Sequence, residues 1–213
     1  MILPADFYAR PTLDVARDLV GMVLVHQTAD GLTAGQIVEV EAYIGEADPA
    51  CHAAPGPTAR NRPLYGPPGR AYVYLNYGLH HLVNAVTEPE GFPAAVLIRA
   101  LAPLEGVSVM RRRRGRSRAS RPLRSGRGES IPEPALCRGP GNLTVAMGIG
   151  ATHNTRPLFR RPLTIEDHRL AVGALAWGPR VGITRGVEQP WRCWIEGHPA
   201  VSGPRVRLAR PSA

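Results

Sequence analysis

The chain has 213 residues, 44% of them hydrophobic and 20% charged, a length and balance that suit one self-sufficient domain and exclude a disordered chain. No window holds the roughly 18 consecutive apolar residues of a membrane span, no basic stretch and apolar run open the chain as a secretory signal would, and three scattered cysteines argue against a disulfide framework or zinc ribbon and fit a reducing, intracellular compartment. The formal charge is +9 and all 26 basic residues are arginine, which points to a polyanionic partner, nucleic acid before anionic membrane, and leaves no side-chain amine for a Schiff base.

Pro4 to Leu19 reads as a turn followed by a helix capped by Thr12 or Asp14, with Leu13, Ala16, Leu19 and Val20 as its apolar face. Gly21 ends it, and Met22 to His26 reads as a strand. A clearer strand follows a turn at Gly35. Gln36 to Tyr43 alternates, with Ile37, Glu39, Glu41 and Tyr43 on one face and Val38, Val40 and Ala42 on the other. Two carboxylates beside a tyrosine on one strand face mark a site rather than a solvated surface. Asp48 to Gly69 is rich in Pro, Gly and Ala and reads as loop; it carries His52, Arg60, Asn61 and Arg62. Ala71 to Thr87 reads as a β-hairpin with Asn76-Tyr77-Gly78 at or near its turn.

Ala94 to Leu101 is a further strand, interrupted by Arg99. Met110 to Arg127 holds nine arginines in eighteen residues, punctuated by Gly, Ser and Pro. A mobile Arg-rich loop is expected at about 111–128, adding salt-dependent, nonspecific affinity for nucleic acid or no specific role at all. Cys137 to Asn142 leads through a glycine turn into a short helix over Leu143 to Ile149. Leu163 to Glu166, Arg180 to Thr184 and Trp191 to Ile195 read as short strands. The mixture is α/β of the α+β kind, with antiparallel pairing, in one domain over residues 1–213.

Several pieces recur in an order that is recognisable. They are Glu39-Val40-Glu41-Ala42-Tyr43, then Asp48 and His52, Arg60-Asn61-Arg62, Tyr72 to Gly78 with Asn84, Leu97-Ile98-Arg99-Ala100-Leu101 with Pro103-Leu104-Glu105-Gly106, and Arg138-Gly139-Pro140-Gly141-Asn142-Leu143. With these pieces the chain resembles the alkyladenine (3-methyladenine) DNA glycosylase family, the type that includes the human enzyme. The match runs from about Leu13 to Ile149, with a weaker echo in Val181-Gly182-Ile183. The resemblance implies a single compact domain around a curved, mostly antiparallel sheet with flanking helices and a protruding hairpin that enters DNA. It implies monofunctional hydrolysis of the N-glycosidic bond of alkylated or deaminated purines in duplex DNA, with no metal and no organic cofactor. The protein is expected to act as a monomer inside the cell, in cytoplasm or nucleoid if bacterial, in base excision repair.

Chemistry on a base within a duplex requires the nucleotide to leave the stack. By resemblance Glu41 is the general base that activates water; Glu39, on the same strand face, is its rival and is read as structural, paired with an arginine. Tyr43, His52 and Tyr74 form the base pocket, where aromatic faces stack on a flipped purine and a cationic base gains a cation–π contribution. Tyr72 is assigned to the core. Asn84 rejects the 2-amino group of normal guanine, and Tyr77 plugs the vacated stack. Leu79 and Asn76 depart from the family pattern beside it. Arg60, Arg62 and Arg99 are placed on DNA phosphates, Arg99 with a carboxylate as its alternative partner. Gly139-Pro140-Gly141 either presents N–H groups to phosphate or simply caps a helix. Cys51-His52 and His80-His81 are adjacent pairs without chelate spacing, so no metal is expected there. The alternatives are a damaged-base binding module without catalysis, which would not need Glu41, and an RNA-binding domain, which would not need the tyrosine pocket.

Overall fold

The structure is a computed structural model and describes residues 1–116, 131–209 and 211. Its centre is β2, Gly31–Ile44, a long strand paired on both edges. Its first half pairs with β1, Val23–Thr28, and residues 39–41 of its second half pair on the same side with β9, Arg192–Ile195. The other edge carries β5, Ala94–Glu105, with register breaks around Glu39. Bulges of this kind bend a strand and re-aim its side chains. The sheet continues outward from β5 through β4, His80–Val86, to β3, Ala71–Asn76. On the far side it runs from β1 to β7, Leu163–Glu166, and β6, Phe159–Arg160, while β8, Leu175–Gly178, pairs with β9. Every strand pairing is antiparallel, as the residue pattern predicts.

The helices are short and lie against this curled sheet: α1, Ala5–Tyr8, α2, Thr12–Leu19, α3, Val107–Arg116, and α4, Pro140–Met147. Leu13, Val15, Ala16 and Leu19 of α2 are buried in the same apolar cluster as Ile37, Val38 and Val40 of β2. No helix among the described residues is long and apolar enough to cross a membrane.

Three expectations change. Neither Thr12 nor Asp14 caps α2. The cap position is Pro11, and the donors of its first turn are met from elsewhere, since Thr12 N–H and its hydroxyl both donate to the Glu88 carboxylate, at 2.6 and 2.8 Å. The Arg-rich run is not a loop from its start. Val109 and Met110 are buried and draw the chain into α3, so Arg111–Arg116 are helical. Arg113 donates to Thr28 Oγ1 at 2.7 Å and Arg114 to Asn142. The remainder of the run, 117–130, lies outside the described residues. Finally, Arg180 to Thr184 forms no strand. Gly182 takes a φ of 77° there, breaking extended backbone, and the edge of β9 away from β2 is taken by the unpredicted β8.

Candidate active site

The face of β2 that carries Glu39, Glu41 and Tyr43 is the foundation of the site. A glutamate in a strand is normally solvated, yet Glu39 and Glu41 are both fully buried. A buried carboxylate persists only if charge and hydrogen bonds compensate its lost water. Here arginines do so. Arg99 from β5 reaches Glu39 Oε1 at 2.9 Å and Glu41 Oε2 at 3.1 Å. Arg192 from β9 reaches Glu39 Oε1 at 2.7 Å. Asp48, also buried, accepts from Arg180 Nη1 at 2.5 Å and Nη2 at 2.8 Å. The three carboxylates and three guanidiniums form one charge-balanced floor.

The two glutamates differ in what remains available. Glu39 accepts from both arginines and the Ser202 hydroxyl on Oε1 and from Ser202 N–H on Oε2, four bonds that tie it to the protein against three for Glu41. Glu41 accepts from Val181 N–H at 2.6 Å on Oε1, and from Tyr43 Oη at 2.9 Å and Arg99 at 3.1 Å on Oε2. A carboxylate offers about four lone-pair sites. Three are used, and the one left is on Oε1, beside Val181. Opposing pulls act on Arg99: burial disfavours its charge, but the Glu41 and Glu39 carboxylates prevail and hold its pKa above the ordinary value.

Above this floor opens a cavity of about 450 Å³. Tyr43, His52, Tyr72, Tyr74, Asn84 and Arg99 line it, with Val181, Gly182 and Ile183 closing one wall. Glu41 itself does not reach the surface of the cavity; Tyr43, Arg99 and Val181, its three hydrogen-bond partners, do. The aromatic wall is built edge to face, with His52 and Tyr74 centroids 4.5 Å apart and His52 Nδ1 2.9 Å from the Tyr72 hydroxyl. Asn61 holds the loop that bears His52, donating to the carbonyls of His52 and Gly56 at 2.8 Å each. Asn84 donates to the Tyr72 carbonyl at 2.9 Å, which fixes its amide at the cavity edge.

Burial raises the phenol of Tyr72 to about 12 and pushes those of Tyr43 and Tyr74 further up, Tyr43 with help from the Glu41 charge. His52 moves the other way: burial first, and then the Arg60 charge, hold it below the ordinary imidazole value. A stability consequence follows. Well above pH 6.5 both states leave this group neutral; as the pH falls through about 6.5 the unfolded chain takes up a proton that folded His52 refuses. Denaturant melts between pH 7 and 5 should therefore show stability falling with pH, with a shallower fall in His52→Gln. His26 and His198 are depressed by burial too and add to the same slope, so the variant lessens it without abolishing it.

The β3–β4 hairpin ends beside the cavity. Tyr77, also on the cavity rim, is 86% exposed and Leu79 is 70% exposed. Tyr77 has a φ of 47° and Gly78 a φ of 68°, the paired left-handed conformations of a tight hairpin turn. A left-handed tyrosine is uncommon and strained, and such strain gathers at functional positions. Next to the hairpin's turn α4 approaches closely: a Cβ on Gly141 would stand 2.7 Å from the His80 ring, so only glycine fits.

The chain matches the family model for methylpurine-DNA glycosylase (MPG) over residues 6–199. This chain belongs to the methylpurine-DNA glycosylase family. Similar proteins, each provisionally named a 3-methyladenine DNA glycosylase, include one from Chlorobaculum parvum, 42% identical over 206 residues that cover 96% of this chain and 92% of that one. Another, from Methanocella arvoryzae, is 45% identical over 205 residues, covering 94% and 96%. A third, from Bradyrhizobium diazoefficiens, is 45% identical over 206 residues, covering 95% and 91%.

The glycosylase gathers Tyr43, His52, Tyr74, Tyr77 and Asn84 at one cavity, with Glu41 directly beneath. Arg99 takes the carboxylate, the alternative partner of the sequence analysis. Rather than facing phosphate, it is 6% exposed, bound to both glutamates and to Ser202, because two buried carboxylates need a cation more than the surface does. Arg60 and Arg62 are exposed. Arg60 shares with Arg185 a second recess of about 510 Å³, which adjoins the first at Cys51 and His52. Residue reading also missed Tyr72 as a cavity wall, and Arg180 and Arg192 entirely. The short echo at Val181-Gly182-Ile183 was the available signal for that third wall.

Proposed function

We propose that the protein is a monofunctional DNA glycosylase that flips alkylated or deaminated purines out of duplex DNA and hydrolyses the N-glycosidic bond, leaving an abasic site. The observation that carries this reading is Glu41: a buried carboxylate with one lone-pair site free, under a purine-sized aromatic cavity. In this mechanism a water seated near Val181 and Arg99 gives its proton to Glu41 as its oxygen bonds to C1′. The C1′–N bond breaks and its electron pair leaves with the base. The developing sugar cation is stabilised by the same carboxylate. 3-Methyladenine and 7-methylguanine depart as already cationic bases; hypoxanthine and ethenoadenine need a proton or a strong hydrogen bond.

The base stacks among Tyr43, His52 and Tyr74, and Asn84 excludes guanine by its 2-amino group. Tyr77 fills the vacated stack, and Arg60 and Arg62 bind phosphates. Arg99 orients Glu41 and takes no phosphate. The enzyme acts as an intracellular monomer. Single-turnover assays on duplexes carrying hypoxanthine or ethenoadenine, and on methylated DNA, are expected to release the base and leave strands that break only after alkali. Tight binding with no release from any of these duplexes would instead indicate a non-catalytic lesion-binding module.

A further inference from the structure

A cationic base stacked on tyrosine is ordinarily favoured by the negative face of the ring. In this molecule that face is compromised. The guanidinium carbon of Arg180 lies 4.7 Å from the Tyr43 centroid and 5.0 Å from that of Trp191, so the arginine is sandwiched between the two rings. Tyr43 lines the cavity and Arg180 does not; Arg180 is fully buried, which puts it behind the ring. It cannot swing away. Asp48 holds it through two bonds, and it also donates to the carbonyls of Ala42 at 3.0 Å and Gly186 at 3.3 Å. Arg60 also lies over Tyr74, 5.9 Å from its centroid, but it is exposed.

We infer that Arg180 is a positioning residue that biases the cavity toward neutral purines, by occupying the hidden face of Tyr43 with a fixed positive charge. This rests on the reading of the cavity as the base pocket. The ring's electron density is already drawn toward one cation, so a second cation on the opposite face meets a weakened quadrupole; Asp48 balances the net charge of the guanidinium, and the polarised ring carries the bias. Burial strengthens the effect, because little water screens the pair. A neutral base meets no such penalty and keeps its stacking.

The test measures single-turnover release from duplexes with 7-methylguanine, a cation, and with hypoxanthine, which is neutral, and takes the ratio of the two. Asp48→Asn leaves the guanidinium without its countercharge, and the cationic-to-neutral ratio is expected to fall by at least about threefold. Asp48→Asn combined with Arg180→Gln removes both charges, and the ratio is expected to rise above wild type by a similar factor. A merely structural role would slow both substrates together and leave the ratio where it was in each variant, which would overturn the inference. Should the double variant fail to fold, the direction of the single variant decides. No release from either duplex by wild type would overturn the base-pocket reading itself, and this inference with it.

Discussion

Glu41→Gln is expected to slow single-turnover base release by at least ~100-fold, the range for a positioned general base. The amide cannot take a proton from water, and its NH₂ must meet donors. If its oxygen keeps the Val181 N–H, its nitrogen faces the Tyr43 hydroxyl and Arg99 Nη1. The floor then carries an uncompensated positive charge, and breaking a buried pair of this kind costs about 3–5 kcal/mol of stability. Denaturant melts must accompany the assay so that release is compared for folded protein. Glu39→Gln separates the two carboxylates. It should destabilise comparably, since Arg99, Arg192 and Ser202 all rely on Glu39. Yet it should lose far less activity, short of the ~100-fold mark, because only Arg99 among its partners lines the cavity, whereas all three partners of Glu41 do. The reverse ranking in folded protein would move the general base to Glu39.

Tyr77→Asn should separate activity from stability in the opposite sense. The aromatic is expected to hold the opened stack, and losing one stacking partner lowers lesion release roughly 10- to 100-fold. Stability should hold or rise by up to ~1 kcal/mol, because Asn accepts the left-handed backbone that a tyrosine resists, and Asn-Gly is the preferred tight-turn pair. Tyr77 is 86% exposed, so its removal opens no core cavity. A variant that melts lower and reacts at the wild-type rate would make Tyr77 an ordinary covering residue of the hairpin.

How much of this was legible beforehand depends on range. The alternation through Glu39, Glu41 and Tyr43 declares a strand and the face on which its chemistry sits, since period two is a local property. The hairpin with Tyr77 before Gly78 is legible for the same reason. The partners of those carboxylates are not. Arg192 and Arg180 stand 153 and 132 residues from Glu39 and Asp48, and an arginine that neutralises a buried carboxylate looks, in sequence, like one that grips a phosphate. Arg99 was open to both readings for that reason. β8 escaped notice because four residues between glycines give too short a pattern, and its place is set by pairing with β9. Tyr72 was read as core and is buried, but one buried ring can also form a wall.

The charge-balanced floor has a consequence during synthesis. Glu39, Glu41 and Asp48 leave the ribosome well before Arg180 and Arg192. A nascent chain ending before residue 180 holds three acidic groups destined for burial and only Arg99 to receive them, and it lacks the wall formed by Val181, Gly182 and Ile183. Such a fragment cannot close the site. The three carboxylates and the cavity wall are therefore completed only when segments from both halves of the chain have come together.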